Sequence, residues 1–229
     1  MDFNEVMKAL ENAGTAQNRK IYSRHGAKAP MFGVSFAVMR DLARQNKNDH
    51  ELAQKLWQTG NYDACLLACQ TADPTKVDNV LAETWIHKIY NYVLSGEFSQ
   101  LMAKSPLAQK KAEKWIESRE EYTSRTGWLI LSWLVEHSSL PDDYFESYLV
   151  IIEKNIHKSP NRTRDAMNTA LINIGLRPRL TEKCLSVSKD IGKVEVDHGQ
   201  TGCKTPDAGE YIIRTLEYRK NKKNKVMSK

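Results

Sequence analysis

Along almost the whole chain, apolar residues recur three and four positions apart, the mark of helices that bury one face. Phe3, Val6, Met7 and Leu10 make the first such face, and Val34, Val38, Met39, Leu42 and Ala43 the second. Leu52, Leu56 and Trp57 continue the pattern. The run DACLLACQT, Asp63–Thr71, is apolar nearly all round and predicts a helix covered on every side. Val77, Leu81, Trp85, Ile89 and Tyr92 form a further stripe. A helix carrying Trp115 starts near Pro106, where the fixed φ of proline suits a first turn. The run Trp128–Val135 ends at a Ser-Ser-Leu-Pro turn, and Tyr144–Ile156, Thr163–Ile174 (capped by Asn161), Leu180–Ile191 and Ala208–Arg219 complete the set. Only Lys193–Val196 alternates like a strand, and it is too short to anchor a sheet.

The pattern predicts an all-α protein of roughly a dozen short helices joined by brief turns. Such helices bury their faces either in a compact bundle or in a stack of helical hairpins. The helices recur in pairs at a spacing like the ~40–47 residues of HEAT-type repeats, which favours the stack. No linker rich in Pro or Ser divides the chain, so one domain is expected over residues 1–218.

Composition narrows the function classes. Of 229 residues, 41% are hydrophobic, enough for a core, while 27% are charged and the mean hydropathy is −0.58. No apolar run approaches the ~18 residues that a membrane span needs. The opening MDFNEVMKALENAG has neither a cationic start nor an apolar signal core, so a cytoplasmic protein is expected. Cys65, Cys69, Cys184 and Cys203 form no CxxC pair and read as reduced thiols. The net charge of +6 and a pI near 9.0 favour an anionic partner, nucleic acid first. RKNKKNKVMSK, residues 219–229, holds six of the basic residues and no acidic one; it reads as a disordered basic tail, and the rest of the chain is close to neutral.

Four segments carry candidate chemistry. RKIYSRHGAKAPMFGVSFA, from Arg19, gathers Arg24, His25 and Lys28 where a helix ends, either to hold phosphate or to complement the helix dipole. In REEYTSRTGWLILSW, Arg125 enters a strongly apolar run, and an arginine so placed has a partner or a ligand. In NRTRDAMNTALINIG, Arg164 and Asn168 share one helical face that either reads a base edge or bonds to neighbouring backbone. VEVDHGQTGCKTPDA concentrates Asp197, His198, Cys203, Lys204 and Asp207 on a turn-rich backbone. One His, one Cys and two Asp without a paired motif do not make a zinc signature, so neither metal nor cofactor is expected there. A Cys203 nucleophile activated by His198 is the sharper alternative to an ordered surface loop.

Several of these stretches together carry a resemblance. The run from Arg24 to Ala43, WIHKIYNYVLSGEFSQLMAKSP (Trp85–Pro106), KWIESREEYTSRTGWLILSWL (Lys114–Leu134), NRTRDAMNTALINIG and the VDHGQTGCKTPDA loop resemble the bacterial DNA alkylation repair, or AlkD-like, family, in a divergent branch with that loop. The resemblance covers about residues 1–218 and implies a HEAT-like superhelix. Glycosylases of this family hold duplex DNA in a basic groove and excise cationic alkylated purines without flipping the base into a pocket. Their tryptophan, followed four positions later by an aspartate that stabilises charge on the sugar, corresponds here to Tyr92 and Gly96. Gly96 carries no carboxylate. Glu97, next to it, is the one local substitute for a catalytic acid, although one helical step turns it by roughly 100°. A second family tryptophan and its arginine fall near Thr169 and Ile172 and are missing, whereas the arginine before the central apolar helix is kept as Arg125.

The resemblance therefore implies a DNA-binding protein with double-stranded DNA as its partner; with the residue readings above, the candidate contacts are Arg24, His25, Lys28, Tyr92, Arg125, Arg164 and Asn168. If it is an enzyme at all, it is a DNA glycosylase. The alternative is a non-catalytic HEAT-repeat module for DNA structures or a protein partner.

Overall fold

The computed structural model describes residues 1–227, with side chains as far as residue 222. Among these residues there are thirteen α-helices and no strand. They are α1 (Phe3–Ala13), α2 (Ala16–Arg24), α3 (Phe36–Gln45), α4 (His50–Gln58), α5 (Tyr62–Thr71), α6 (Asn79–Ile86), α7 (Tyr92–Ala103), α8 (Ala108–Ile116), α9 (Glu121–His137), α10 (Asp142–Asn155), α11 (Asn161–Gly175), α12 (Thr181–Ile191) and α13 (Ala208–Met227). None is long and apolar enough to cross a membrane.

The helices are short because the sequence punctuates them. Each of α1–α7 starts on a side chain that accepts a hydrogen bond from a first-turn N–H: Asp2, Thr15, Ser35, Asp49, Asn61, Asp78 and Asn91 in turn. The stripe from Val77 to Tyr92 is accordingly divided between two helices, since α6 stops at Ile86 and Asn91 caps α7. Asn161 is the first residue of α11, after Pro160, not its cap. The segment expected to be a disordered tail is helical through Met227, and residues 228–229 lie outside the described residues.

The chain clusters into two compact units, residues 1–130 with 199–202 and residues 131–198 with 203–229, the first division falling inside α9. In the first unit α5 is the central helix. It packs on α3, α4 and α7, and every residue of it except Gln70 is buried. Burial pushes the Cys65 thiol up to about 12 and Cys69 well above its ordinary range, as expected for inert core thiols. Beside α5, Trp57 and Trp85 stack 4.2 Å apart with planes 5° from parallel, and Phe98 lies against both. Gly127 lets α9 approach α8: a Cβ there would lie 2.6 Å from the Ile116 nitrogen and 2.9 Å from the Trp115 carbonyl carbon.

In the second unit α11 is the central helix, packing on α10, α12 and α13. Gly175, at its end, has room for no side chain, because a Cβ would lie 2.4 Å from Ile212 Cδ1. Arg177, just beyond, donates to Asp142 Oδ1 (2.5 Å), the Val135 carbonyl (2.8 Å) and the Leu140 carbonyl (3.2 Å), and its guanidinium covers the Phe145 ring. That one arginine ties the α11–α12 turn to α9 and to the start of α10.

Candidate nucleic-acid interface

The first unit brings several of the expected residues together. α2 ends at Arg24, and the chain then runs through His25 and Lys28 to α3. The irregular backbone between them is fixed from below by Asp63, which is fully buried in α5. Its Oδ2 accepts the N–H groups of Phe32 (2.6 Å) and Gly33 (3.0 Å), and its Oδ1 accepts that of Val34 (2.8 Å). Tyr22 Oη donates to the Val34 carbonyl at 2.5 Å, and Arg19 Nη1 to the Phe32 carbonyl at 3.0 Å. Gly33 has φ +82°, and a Cβ would lie 2.6 Å from the Thr15 carbonyl oxygen, so only glycine fits.

Held in this way, the loop reaches the start of α7. His25 Nδ1 hydrogen-bonds to Tyr92 Oη. The Arg125 guanidinium, on α9, lies over the Tyr92 ring at 5.8 Å from its centroid. Arg125 is 8% exposed and Tyr92 partly so, while Arg24 and Lys28 are exposed. Lys28 Nζ sits over the Tyr90 ring at 5.4 Å, and its backbone N–H and C=O both meet Tyr90 Oη. The result is a cationic patch with aromatic faces, on which fixed tyrosines orient the charges.

Gly96 lies one helical turn beyond Tyr92, and a Cβ there would meet nothing within 4 Å. The position is open and supplies no side chain. Glu97 points elsewhere, into a cleft of about 810 Å³ over α5 between α3 and α7. Gln70 Nε2 donates to its Oε2 at 2.9 Å. Burial raises the Glu97 pKa, against the opposing pull of Gln70, Lys104 and Arg40.

Arg164 and Asn168 belong to the second unit, and their bonds go to backbone. Arg164 donates to the carbonyls of Glu195 (2.8 Å), Ser159 (3.2 Å) and His157 (3.3 Å). Asn168 is 1% exposed and its Nδ2 donates to the Pro206 carbonyl at 3.0 Å. Of the two readings of this amide, the structure shows the bond to backbone: it faces inward and secures the loop. Asn161 pairs with Asp197 in both directions, Nδ2 to the carbonyl at 2.8 Å and the Asp197 N–H to Oδ1 at 2.7 Å.

The same loop accounts for the rest of its own polar residues. Arg162 approaches His198 Nδ1 at 3.2 Å and can only donate, so Nε2 carries the proton and donates to Thr205 Oγ1 at 2.9 Å. Asp207 Oδ1 accepts from the Glu210 N–H and caps α13, while Cys203 and Lys204 are exposed. Among the described residues no group of three or more His, Cys, Asp or Glu is arranged to hold a metal ion. These contacts give the loop its shape.

Sequence reasoning missed Asp63, Gln70, Tyr90 and the cleft cations Arg40, Arg44, Lys47 and Lys104. Asp63 left a signal, being the one charged residue in an otherwise apolar helix. Arg40, Arg44 and Lys47 left a signal too, spaced four and three apart on α3 and the turn after it, whereas Lys104 comes from the end of α7 and left none.

Comparison with known proteins agrees with this architecture. Residues 6–189 match the family model of the DNA alkylation repair enzymes. Uncharacterized proteins of Listeria innocua and Listeria monocytogenes are 33% and 32% identical over 215 residues, covering 90% of this chain and 92% of each relative. A solved structure from "a new family of proteins related to the HEAT-like repeat DNA glycosylases with affinity for branched DNA structures" superposes with a TM-score of 0.87 at 34% identity, covering 95% of both chains. The helical fold and the sequence match converge: this chain belongs to the DNA alkylation repair family and has its HEAT-like repeat fold.

Proposed function

We propose that the protein binds double-stranded DNA, with branched DNA preferred, and does not excise alkylated purines. The observation that carries the reading is the patch formed by Arg24, His25, Lys28, Tyr92 and Arg125, beside an open Gly96 where the family's excising members need an acid. The solved relative comes from a family with affinity for branched DNA, which supports the choice of substrate. Phosphates bind the exposed Arg24 and Lys28, while Arg125, fixed over Tyr92, fixes the register. Excision needs an anion at the sugar to stabilise a developing cation, and loss of such a group costs roughly 10²–10³ in rate or more. Glu97 is turned into another cleft and bonded to Gln70, so it does not fill that place.

The test has two arms. Fluorescence anisotropy should give tighter binding to a three-way or four-way junction than to linear duplex of equal length, weakening with salt in proportion to the phosphates neutralised. Release of 3-methyladenine and 7-methylguanine from methylated duplex should stay at background. Robust release, abolished by Glu97→Gln, would make Glu97 a displaced catalytic acid. No binding even at low salt would turn the reading toward a protein partner on the same face. A chain shortened before Arg219 controls for a basic terminus that binds DNA without specificity.

A further inference from the structure

The cleft over α5 has two chemically different parts. Its rim is cationic: Arg40, Arg44 and Lys47 line it from α3 and the turn after it, and Lys104 from the end of α7, all four exposed. Its floor is the Glu97–Gln70 pair. Gln70 spends its amide N–H on Glu97 Oε2, and its own Oε1 is buried with no hydrogen-bond partner. The floor thus presents the Glu97 carboxylate as its acceptor. Burying a carbonyl oxygen without a donor is unfavourable, so the pair is incomplete as it stands.

A plain phosphate track does not look like this. Phosphate suits the rim and is repelled by a carboxylate beneath it. The ligand that satisfies both parts is anionic at one end and carries N–H donors at the other, and a nucleotide has this polarity. About 810 Å³ lies within the usual range of small-molecule sites and leaves room for a base with its sugar phosphate.

We propose that this cleft receives one unpaired nucleotide at a DNA branch, its phosphate among Arg40, Arg44, Lys47 and Lys104 and the N–H groups of its base on the Glu97 carboxylate, which Gln70 holds in place. Guanine fits best, because its N1–H and N2–H present adjacent donors to a single carboxylate. In a continuous duplex that edge is engaged by the complementary base, so the cleft separates a branch from uninterrupted duplex. The inference rests on the DNA-binding reading above and adds to it where the branch is sensed.

The experiment uses the full chain and a three-way junction bearing one unpaired guanosine, adenosine, thymidine or abasic site at the branch point, followed by fluorescence anisotropy. The guanosine junction should bind about tenfold more tightly than the abasic one, the scale of one good two-point base contact. Glu97→Gln and Glu97→Ala should bring that ratio close to one while still binding the abasic junction, with circular dichroism and Tm reporting that both variants fold. Arg40→Ala should weaken all four junctions alike. Equal affinity for all four junctions in the unmodified protein would overturn the inference, as would a guanosine preference that survives Glu97→Ala; either result leaves the DNA-binding reading standing. Failure to bind any junction would remove both.

Discussion

Replacing Asp63 by Asn tests whether one buried carboxylate organises the loop that carries His25 and Lys28. The substitution keeps size and shape but exchanges one acceptor oxygen for an N–H₂ group. In its better orientation the amide oxygen takes the Oδ2 position and keeps the Phe32 and Gly33 N–H groups, now bonded to a neutral acceptor. The N–H₂ then faces the Val34 N–H, donor against donor, in a site where Asp63 is fully buried. Losing a hydrogen bond to a charged group costs about 1.5–3 kcal/mol, and a buried orphan N–H about 1–3 kcal/mol more. The expected destabilisation is therefore about 3–5 kcal/mol, or about 10 °C in Tm for a chain of this size. Urea unfolding gives the energy, and hydrogen exchange at Phe32, Gly33 and Val34 locates it. Junction binding should weaken in step, because His25 and Lys28 ride on the same loop. A cost below about 1 kcal/mol with unchanged exchange at those three amides would refute the reasoning.

Arg125→Ala should weaken junction binding about tenfold or more and leave the far-UV spectrum unchanged; unaltered affinity would remove Arg125 from the interface. Glu83 takes ammonium hydrogen bonds from Lys111 and Lys114. Burial works against its carboxylate, but these bonds outweigh burial and hold its pKa at about 2. Its folded pKa lies below the ordinary 4.5, so its stabilisation is complete above that pH and is lost as pH falls toward 2. Glu83→Gln should flatten the acid limb of the stability curve and cost about 1–3 kcal/mol at neutral pH, since Lys111 keeps Asn79 as an acceptor, read by urea unfolding. Gly127→Ala should destabilise by several kcal/mol through backbone clash, whereas Gly96→Ala, in open helix, should stabilise by about 0.5–1 kcal/mol. Thermal melts that rank these two the other way would show that α8 and α9 are not in close contact at Gly127.

Periodicity carried most of the helices because each buries one stripe, and α5 was legible because nothing in it but Asp63 and Gln70 resists burial. Helix ends were harder to read. The Val77–Tyr92 stripe keeps its helical spacing straight across a break, since His87–Asn91 happens to put Ile89 in phase with the residues before it. The site was legible only where single residues declared themselves, as Arg125 does by entering an apolar run. Tyr92 meets His25 and Arg125 across 67 and 33 positions of sequence, a convergence that pattern alone does not encode. Arg164 and Asn168 left two readings open for a physical reason: a polar stripe on a helix looks the same whether it faces a ligand or the carbonyls of a distant loop.

The chemistry of the first unit turns on one helical step. Tyr92 and Gly96, four residues apart, share a face of α7, and Glu97 is rotated from them by roughly 100°. An acid at the Gly96 position would stand in the open beside the cationic patch, free to meet a sugar. The same acid one residue later is half-buried, bonded to Gln70 and drawn on by Lys104 and Arg40, and it addresses N–H donors instead. Burial also disfavours its ionised form, so a partner that donates hydrogen bonds gains from restoring the charge. On the proposed reading, moving a carboxylate by a single residue exchanges a group placed to stabilise a reacting cation for one placed to read an unpaired base.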